Sequence, residues 1–126
     1  MPRPRCALMA LCLVAACARH AAVRRPAAVP ASVEVVLRVT NHHFVDITVS
    51  IERDGTRTRV GTVTAATSAE FVLPLRAFGV SREFRLVAEA IGSPEAVSTE
   101  TLTIQPGQFI EWTLEHDLRR SSVGVF

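Results

Sequence analysis

Residues 45–63 read VDITVSIERDGTRTRVGTV, and this stretch decides the fold class. Valine and isoleucine occupy every second position from Val45 to Ile51, a period of two that predicts a strand with one buried face. Asp54-Gly55 follows, and this dipeptide is the strongest short-range signal for a two-residue type I′ turn, which needs a positive φ at both central residues. We therefore predict a β-hairpin with Asp54-Gly55 at its tip.

The two-residue turn also predicts which residues of the hairpin face each other. Four pairs are expected: Arg53 with Thr56, Glu52 with Arg57, Val49 with Val60, and Ile47 with Thr62. This register gathers the charged side chains, among them Arg59, on a solvent face and the aliphatic side chains on the other. Turn chemistry and hydrophobic phase agree, which supports the hairpin.

Alternating apolar residues recur along the rest of the chain, at residues 33–40, 69–73, 84–90, 102–104 and 110–115. With the two arms of the hairpin they make seven predicted strands, at the close spacing typical of all-β sandwiches and barrels. The stretch LRAFG, which ends at Gly79, is expected to form one helical turn, and QPGQ at residues 105–108 suits a type II turn. We predict a single seven-stranded antiparallel β-sandwich over residues 32–118 and a C-terminal tail over residues 119–126.

Residues 103–114, TIQPGQFIEWTL, resemble the closing hairpin of many small bacterial immunoglobulin-like or transthyretin-like domains. The resemblance is confined to this stretch, and it implies a β-sandwich scaffold. Those families share the scaffold without sharing a function, so the likeness implies no activity.

The start of the chain has the layout of a secretory signal peptide, which we assign to residues 1–16. Arg3 and Arg5 come first, with no acidic residue, and the apolar run CALMALCLVAACA follows at residues 6–18. A transmembrane helix needs about 20 apolar residues, so this run is too short to be one.

The end of the apolar run, LVAAC at residues 13–17, resembles the lipobox of bacterial lipoproteins. The resemblance implies that Cys17 receives a diacylglycerol thioether, becomes the mature N-terminus and anchors the chain in a bilayer. Alanine follows the cysteine and aspartate is absent there, which in Gram-negative lipoproteins goes with export to the outer membrane, where the domain would face the periplasm. Two alternatives stay open: ordinary cleavage at Ala16-Cys17-Ala18, which yields a soluble secreted product, and an uncleaved signal anchor.

Residues 17–31 are rich in alanine, proline and arginine and are expected to form a flexible tether. They show no sustained period, and Pro26 and Pro30 disfavour a continuous helix. From Val33 onward the chain carries nine arginines and twelve acidic residues. A mildly acidic domain of this kind is a poor binder of nucleic acid. The arginines of the tether are expected to be solvated, and contact with anionic lipid headgroups is the alternative.

Few residues of the predicted domain suggest chemistry. All three cysteines lie at or before Cys17, which leaves no disulfide, thiolate metal site or cysteine nucleophile in the domain. The best candidate ligands for zinc or copper are His42, His43 and His116, if the ends of their strands meet. No metal-binding motif, phosphate-binding loop or G-x-S-x-G elbow is present, so we expect neither an enzyme nor a cofactor.

The aromatic residues divide between a predicted core and a predicted surface. Trp112 shares the phase of Ile110 and Leu114, so we expect it in the core. Phe109 falls on the opposite face, and with Val36 and Val87 it could form a modest apolar patch for a partner.

Together these features favour a non-catalytic lipoprotein of the bacterial cell envelope. Its lipid on Cys17 would contact the membrane, and its sandwich would serve as a structural or protein-interaction module for another envelope protein. The alternative is a small-ligand or metal-binding periplasmic β-domain that uses the histidines.

Overall fold

The structure is a computed structural model that describes residues 33–126. The predicted signal peptide, Cys17 and the predicted tether lie outside these residues. The described chain forms nine strands: β1 (Glu34–Asn41), β2 (Ile47–Arg53), β3 (Thr56–Val63), β4 (Ser68–Pro74), β5 (Glu83–Ala90), β6 (Ala96–Ser98), β7 (Leu102–Thr103), β8 (Ile110–Leu114) and β9 (Ser122–Val125). Two short 3₁₀ helices, Leu75–Phe78 and Leu118–Arg120, complete the set of elements in this part of the chain.

The strands form two sheets. The first has the order β4-β1-β8-β9, and the second has the order β3-β2-β5-β6 with β7 also paired to β5. The all-β class is therefore confirmed, although the described residues hold nine strands where we expected seven. The expectation of a wholly antiparallel arrangement is wrong as well, because β1 and β8 run parallel, with Leu37 aligned with Ile110 and Asn41 with Leu114. Strands far apart in sequence leave no local signal of their relative direction.

The two strands that the sequence did not predict are both short. β6 has three residues and β9 has four, too few for an alternation to stand out. β9 falls within residues 119–126, which we expected to be a tail beyond the domain. Instead it pairs antiparallel with β8, with Trp112 opposite Val123, so the first sheet extends past residue 118.

The predicted hairpin is present, and its register holds up to a β-bulge. Asp54 and Gly55 have φ values of 50° and 75°, as a type I′ turn requires, and Glu52 pairs with Arg57. Beyond Arg59 the register shifts by one residue, so Val49 faces Gly61 and Ile47 faces Val63. The expected pairs of Val49 with Val60 and of Ile47 with Thr62 are therefore wrong. The bulge has a clear effect: it turns Val63, which is fully buried, toward the core.

The predicted closing hairpin at residues 103–114 is not a hairpin. β7 pairs with β5 of the second sheet, with Leu102 opposite Phe84, whereas β8 pairs with β1 and β9 of the first sheet. The turn between them is as expected, because Gly107 has a φ of 85° and the Gln108 N–H donates to the Gln105 carbonyl at 3.1 Å. The chain uses this turn to cross from one sheet to the other.

The core lies between the sheets and consists of the inward-facing residues of the longer strands. The 3₁₀ helix Leu75–Phe78 adds Phe78 to this core, and the Phe78 ring packs edge-on against Phe84 with ring centroids 4.7 Å apart. Gly79 ends this helix with a φ of 75°, and its N–H donates to the Arg76 carbonyl, as the sequence predicted. The largest fully enclosed side chains include Trp112, Phe78, Phe84, Leu37, Ile47, Leu86, Ile104, Ile110 and Leu114. Within residues 33–126, no helix has the length and apolar character needed to cross a bilayer.

Candidate interaction surface

The outer face of the first sheet carries an apolar row that crosses β4 and β1 and continues on the residues that flank β8 and β9. Val36 is opposite Val72 in the register of β1 and β4. The parallel register that aligns Leu37 with Ile110 brings Val36 level with Phe109. We refer to the four residues that share this line as the apolar row: Val72, Val36, Phe109 and Phe126.

The last two residues of the row are joined by both backbone and side chain. Phe109 and Phe126 exchange two backbone hydrogen bonds of 3.0 Å each, and their rings stack with centroids 5.4 Å apart. The Phe126 ring also covers Gly124, since a Cβ atom built on that glycine would lie 2.6 Å from the ring. Gly124 therefore provides the space that lets the terminal aromatic ring lie flat on the sheet.

The row is accessible to a partner. Val72 is 55% exposed, Phe109 40% and Phe126 60%, while Val36 is half-buried between its neighbours. Single exposed apolar side chains are common on protein surfaces, but a contiguous line of them across a sheet is typical of interaction sites.

A row of ion pairs lies beside the apolar row, one step along the strands. Arg38 is opposite both Glu70 and Glu111, and its guanidinium donates to their carboxylates at 3.1 Å and 3.0 Å. Hydrogen bonding to Glu70 is the main cause that raises the pKa of Arg38 above its usual value. The next step along the strands is a row of hydroxyl side chains, in which Ser68 donates to Thr40 at 3.1 Å. The face is thus banded, with its apolar part confined to one end.

Two of the three residues that the sequence predicted for an apolar patch lie in this row. Phe109 and Val36 are brought together as expected. Val87 is not part of the patch, because it lies in β5 of the second sheet and is only 4% exposed, with Ser50 and Ser98 as its neighbours across the strands. Val72 and Phe126 were missed. The run Phe71-Val72-Leu73, apolar on both phases of β4, is the signal that could have identified Val72.

The predicted ligand His43 is enclosed in a polar network at the other end of the sandwich. Its side chain is fully buried, and its Nε2 atom lies 2.9 Å from a carboxylate oxygen of Glu95. The Val45 N–H points to its Nδ1 atom at 3.3 Å, so Nδ1 accepts and Nε2 carries the proton that is donated to Glu95. Both ring nitrogens are engaged, which leaves neither free to bind a metal or to act as a base.

Asn41 holds the same network together. Its side-chain nitrogen lies within 3.3 Å of the carbonyl oxygens of Val45, Val63 and Thr64, and its side-chain oxygen accepts the His43 N–H at 2.9 Å. This one buried amide joins the end of β1 to the start of β2 and the end of β3. Buried polar groups are costly unless they are paired, so the contacts explain why Asn41 and His43 can occupy an otherwise apolar interior.

The other two predicted metal ligands, His42 and His116, are exposed and do not take part in the His43 network. His42 contacts Glu115 through Nδ1 at 3.3 Å, and His116 lines an open groove of about 490 Å³ beside Glu95 and Asp117. Arg119 binds Asp117 through two nitrogens at 3.0 Å, and this hydrogen bonding lowers the pKa of the Asp117 carboxyl. Across residues 33–126, no three His, Cys, Asp or Glu side chains form a group that could hold a metal ion.

Trp112 lies in the core, as the sequence predicted. It is 2% exposed and is opposite Val123 across β8 and β9. The lone tryptophan is therefore not available as a platform for stacking a sugar ring. Cys17, the predicted lipidation site, lies outside the described residues.

No protein-family model matches the chain, and no curated protein matches it either. Among solved structures, the chain is similar to one described as the NMR structure of the protein from Eubacterium rectale. The two are 14% identical, the similarity covers 75% of this chain and 87% of the other, and the TM-score is 0.44. A likeness at this level carries no inference about function.

Proposed function

We propose that the protein is a non-catalytic lipoprotein of the bacterial cell envelope whose sandwich binds another envelope protein through the apolar row. The observation that supports the interaction module most directly is the contiguous exposed line of Val72, Val36, Phe109 and Phe126. The lipid anchor is supported by the LVAAC stretch that ends at Cys17. The outer membrane, with the domain facing the periplasm, is part of the same proposal, as is an immunoglobulin-like or transthyretin-like relationship of the sandwich.

The chemistry of the row suits a protein partner. Two stacked phenylalanines and two valines offer an apolar surface that gains free energy when water is removed, at about 25 cal/mol per Å². The neighbouring Glu70 and Glu111 carboxylates both pair with the Arg38 guanidinium, so each charge beside the row has an opposite charge within 3.1 Å. Aromatic residues at the centre of a contact with polar residues around it are the usual arrangement of a protein interface.

The alternative of a metal- or small-ligand-binding domain gains no support from the histidines. His43 uses both ring nitrogens inside the fold, and His42 and His116 are directed to separate surroundings. The contact between the buried His43 ring and the half-exposed Glu95 carboxylate has a structural role in this arrangement.

The lipid anchor is tested by the intact mass of the mature protein together with membrane fractionation. We expect a product that begins at Cys17 and carries the mass of a diacylglycerol modification, recovered with membranes. The variant Cys17→Ser should lack the added mass and accumulate as uncleaved precursor. An unmodified product that begins at Arg19 would contradict the anchor and leave the interaction module to be judged separately.

The interaction module is tested by photo-cross-linking in cells that produce the protein. A photoreactive phenylalanine at position 109 should give one discrete adduct with an envelope protein. Val72→Ser, which alters the same row from a different strand, should reduce the adduct several-fold. The matched control places the photoreactive residue at Thr48, on the outer face of the second sheet. No adduct from position 109, or equal adducts from both positions, would refute the proposed surface.

A further inference from the structure

The two sides of the sandwich differ in how their strand edges are covered. On one side the edges of β3 and β4 lie against each other, and the Phe71 ring packs on Gly61, where a Cβ atom would be only 2.6 Å from it. On the other side β6 and β9 are the edge strands, and a groove of about 380 Å³ lies between them. Its lining combines apolar side chains, among them Trp112, Val97 and Val123, with the charged side chains of Glu100 and Arg119 and several hydroxyl groups.

The edge of β9 lacks the features that protect the edges of β3 and β4 from further pairing, as does the three-residue strand β6, which reads AVS. β3 carries Arg57 and Arg59 and a bulge, and β4 carries Glu70 and ends at Pro74. Charges, prolines and bulges are the devices by which edge strands avoid further pairing. β9 reads SVGV and has none of them.

The backbone of β9 offers a defined set of hydrogen-bonding groups. Phe109 and Phe126 form a mutually bonded pair, so the alternation of an antiparallel ladder directs Gly124 and Ser122 toward β8 as well. The N–H and C=O groups of Val123 and Val125 consequently point away from β8. Within residues 33–126 no strand pairs with that side of β9. An extended backbone is the ligand that such a row of donors and acceptors fits.

We propose that an extended segment of another protein adds to β9 as a fifth strand of the first sheet. This inference rests on the proposed interaction module and names its binding mode. The segment would alternate, with small inward side chains that fit a groove apolar at Trp112 and charged at Glu100 and Arg119. Its outward side chain next to Phe126 would be apolar, since it extends the apolar row by one strand.

A second copy of the chain fits this edge less well. Antiparallel pairing of two β9 strands about Gly124 would set Ser122 of one copy beside Phe126 of the other. The apolar row would then be interrupted at the contact rather than continued. A different protein chain is therefore the occupant that the surface favours, and self-pairing becomes one of the outcomes of the test.

The test measures amide hydrogen exchange by NMR on the full chain, labelled with ¹⁵N and solubilised in a mild detergent. The probe is a synthetic peptide of alternating threonine and valine with a lysine and a blocking group at each end. We expect the amides of Val123 and Val125 to exchange freely in the absence of the peptide and about tenfold more slowly when it is bound. Those of Ser122, Gly124 and Phe126 should be protected in both states.

Two controls make the result specific. A peptide N-methylated at every residue can donate from neither edge, and its methyl groups block approach to the strand, so it should not protect Val125. Val123→Pro removes an N–H that points away from β8, a position where proline is tolerated, and should abolish the protection of Val125 by the unmodified peptide. The wild-type exchange measurement decides the matter even if that variant fails to fold.

The contrary outcomes are distinct. Protection of Val123 and Val125 that grows with protein concentration without peptide would indicate a second copy and overturn the proposal. Absence of protection at these two amides, or protection only along β3 or β4, would also overturn it. If Val72→Ser weakens the cross-link of Phe109 while the edge stays unprotected, the proposed function stands and this binding mode falls.

Discussion

Trp112 is a core residue that also lines the groove between the edge strands β6 and β9. It belongs to β8, the inner strand between β1 and β9, and its ring fills the core beneath the groove that separates β9 from β6. Its exposure is only 2%, so its contribution is to packing. The same chain segment presents Phe109 to solvent. Two aromatic residues three positions apart thus have opposite roles, which the alternation of strand side chains explains.

We expect Trp112→Ala to lower the free energy of unfolding by about 3–5 kcal/mol, the usual cost of emptying a core tryptophan site. A domain of this size has roughly 5–15 kcal/mol in total, so the variant should be marginally stable. Chemical denaturation followed by circular dichroism measures the change. A loss below about 1 kcal/mol would mean that the site collapses or that the ring is not enclosed.

Among the elements, the β2–β3 hairpin allows the effect of backbone strain at Gly55 to be compared with the effect of a surface charge at Arg57. Gly55 has a φ of 75°, and a Cβ atom added there would meet nothing within 4 Å. A substitution at this position is therefore strained by its backbone conformation alone. Arg57, two residues after Gly55, pairs with Glu52 at 3.0 Å and Glu89 at 2.8 Å on the solvent face.

We expect Gly55→Val to destabilise the protein by about 1–2 kcal/mol, because a β-branched residue must adopt a positive φ. Arg57→Ser is the matched comparison in the same hairpin. It should change the unfolding free energy much less, since water screens exposed ion pairs. Thermal and chemical denaturation of both variants give the ranking. If Arg57→Ser were the more damaging, its ion pairs would have to be shielded from water.

The β-bulge in β3 is the element that local analysis could not anticipate. Up to Arg59 the register follows from the turn, because each pair is counted from Asp54-Gly55. Without the shift, Val63 would point to solvent and Thr62 would face the core beside Ile47. The bulge reverses this phase, and the buried partner of Ile47 becomes Val63. The cause is the packing of β3 against the other sheet, where Gly61 accommodates the Phe71 ring.

For the molecule as a whole, the main contribution of β9 is that it adds a strand to the first sheet. β9 covers one side of β8, and its inward residues Val123 and Val125 pack against the core. The C-terminal residues therefore contribute to the fold as well as to the apolar row.

We expect deletion of residues 122–126 to lower the unfolding free energy by about 3–6 kcal/mol, from lost strand pairing and lost apolar burial. Set against a total of roughly 5–15 kcal/mol, such a loss should leave the truncated chain marginally stable. Deletion of Phe126 alone is the control, because it keeps β9 and removes one half-exposed ring, at a cost of about 1–2 kcal/mol. Circular dichroism and denaturant titration distinguish the two. Equal stability of the longer deletion and the full chain would show that β9 is dispensable.

Part of the apolar row could be predicted from the alternation within single strands, and part of it depends on how the strands are arranged. The phase of β8 alone placed Phe109 outside and Trp112 inside, because side chains of a strand alternate. The phase of β1 likewise placed Val36 outside. Their alignment with Val72 and Phe126 depends on which strands are neighbours and on the parallel register of β1 and β8. No alternation within a strand carries that information.

Local sequence patterns were enough to predict the all-β class, the hairpin tip at Asp54-Gly55, the turns at Gly79 and Gly107, and the burial of Trp112. Each of these follows from backbone sterics or from a period of two over neighbouring residues. Three features could be seen only in the folded chain: the bulge in β3, the short strands β6 and β9, and the separation of residues 103–114 between two sheets. These features depend on contacts between residues distant in the chain, where packing of one sheet on the other outweighs local preference.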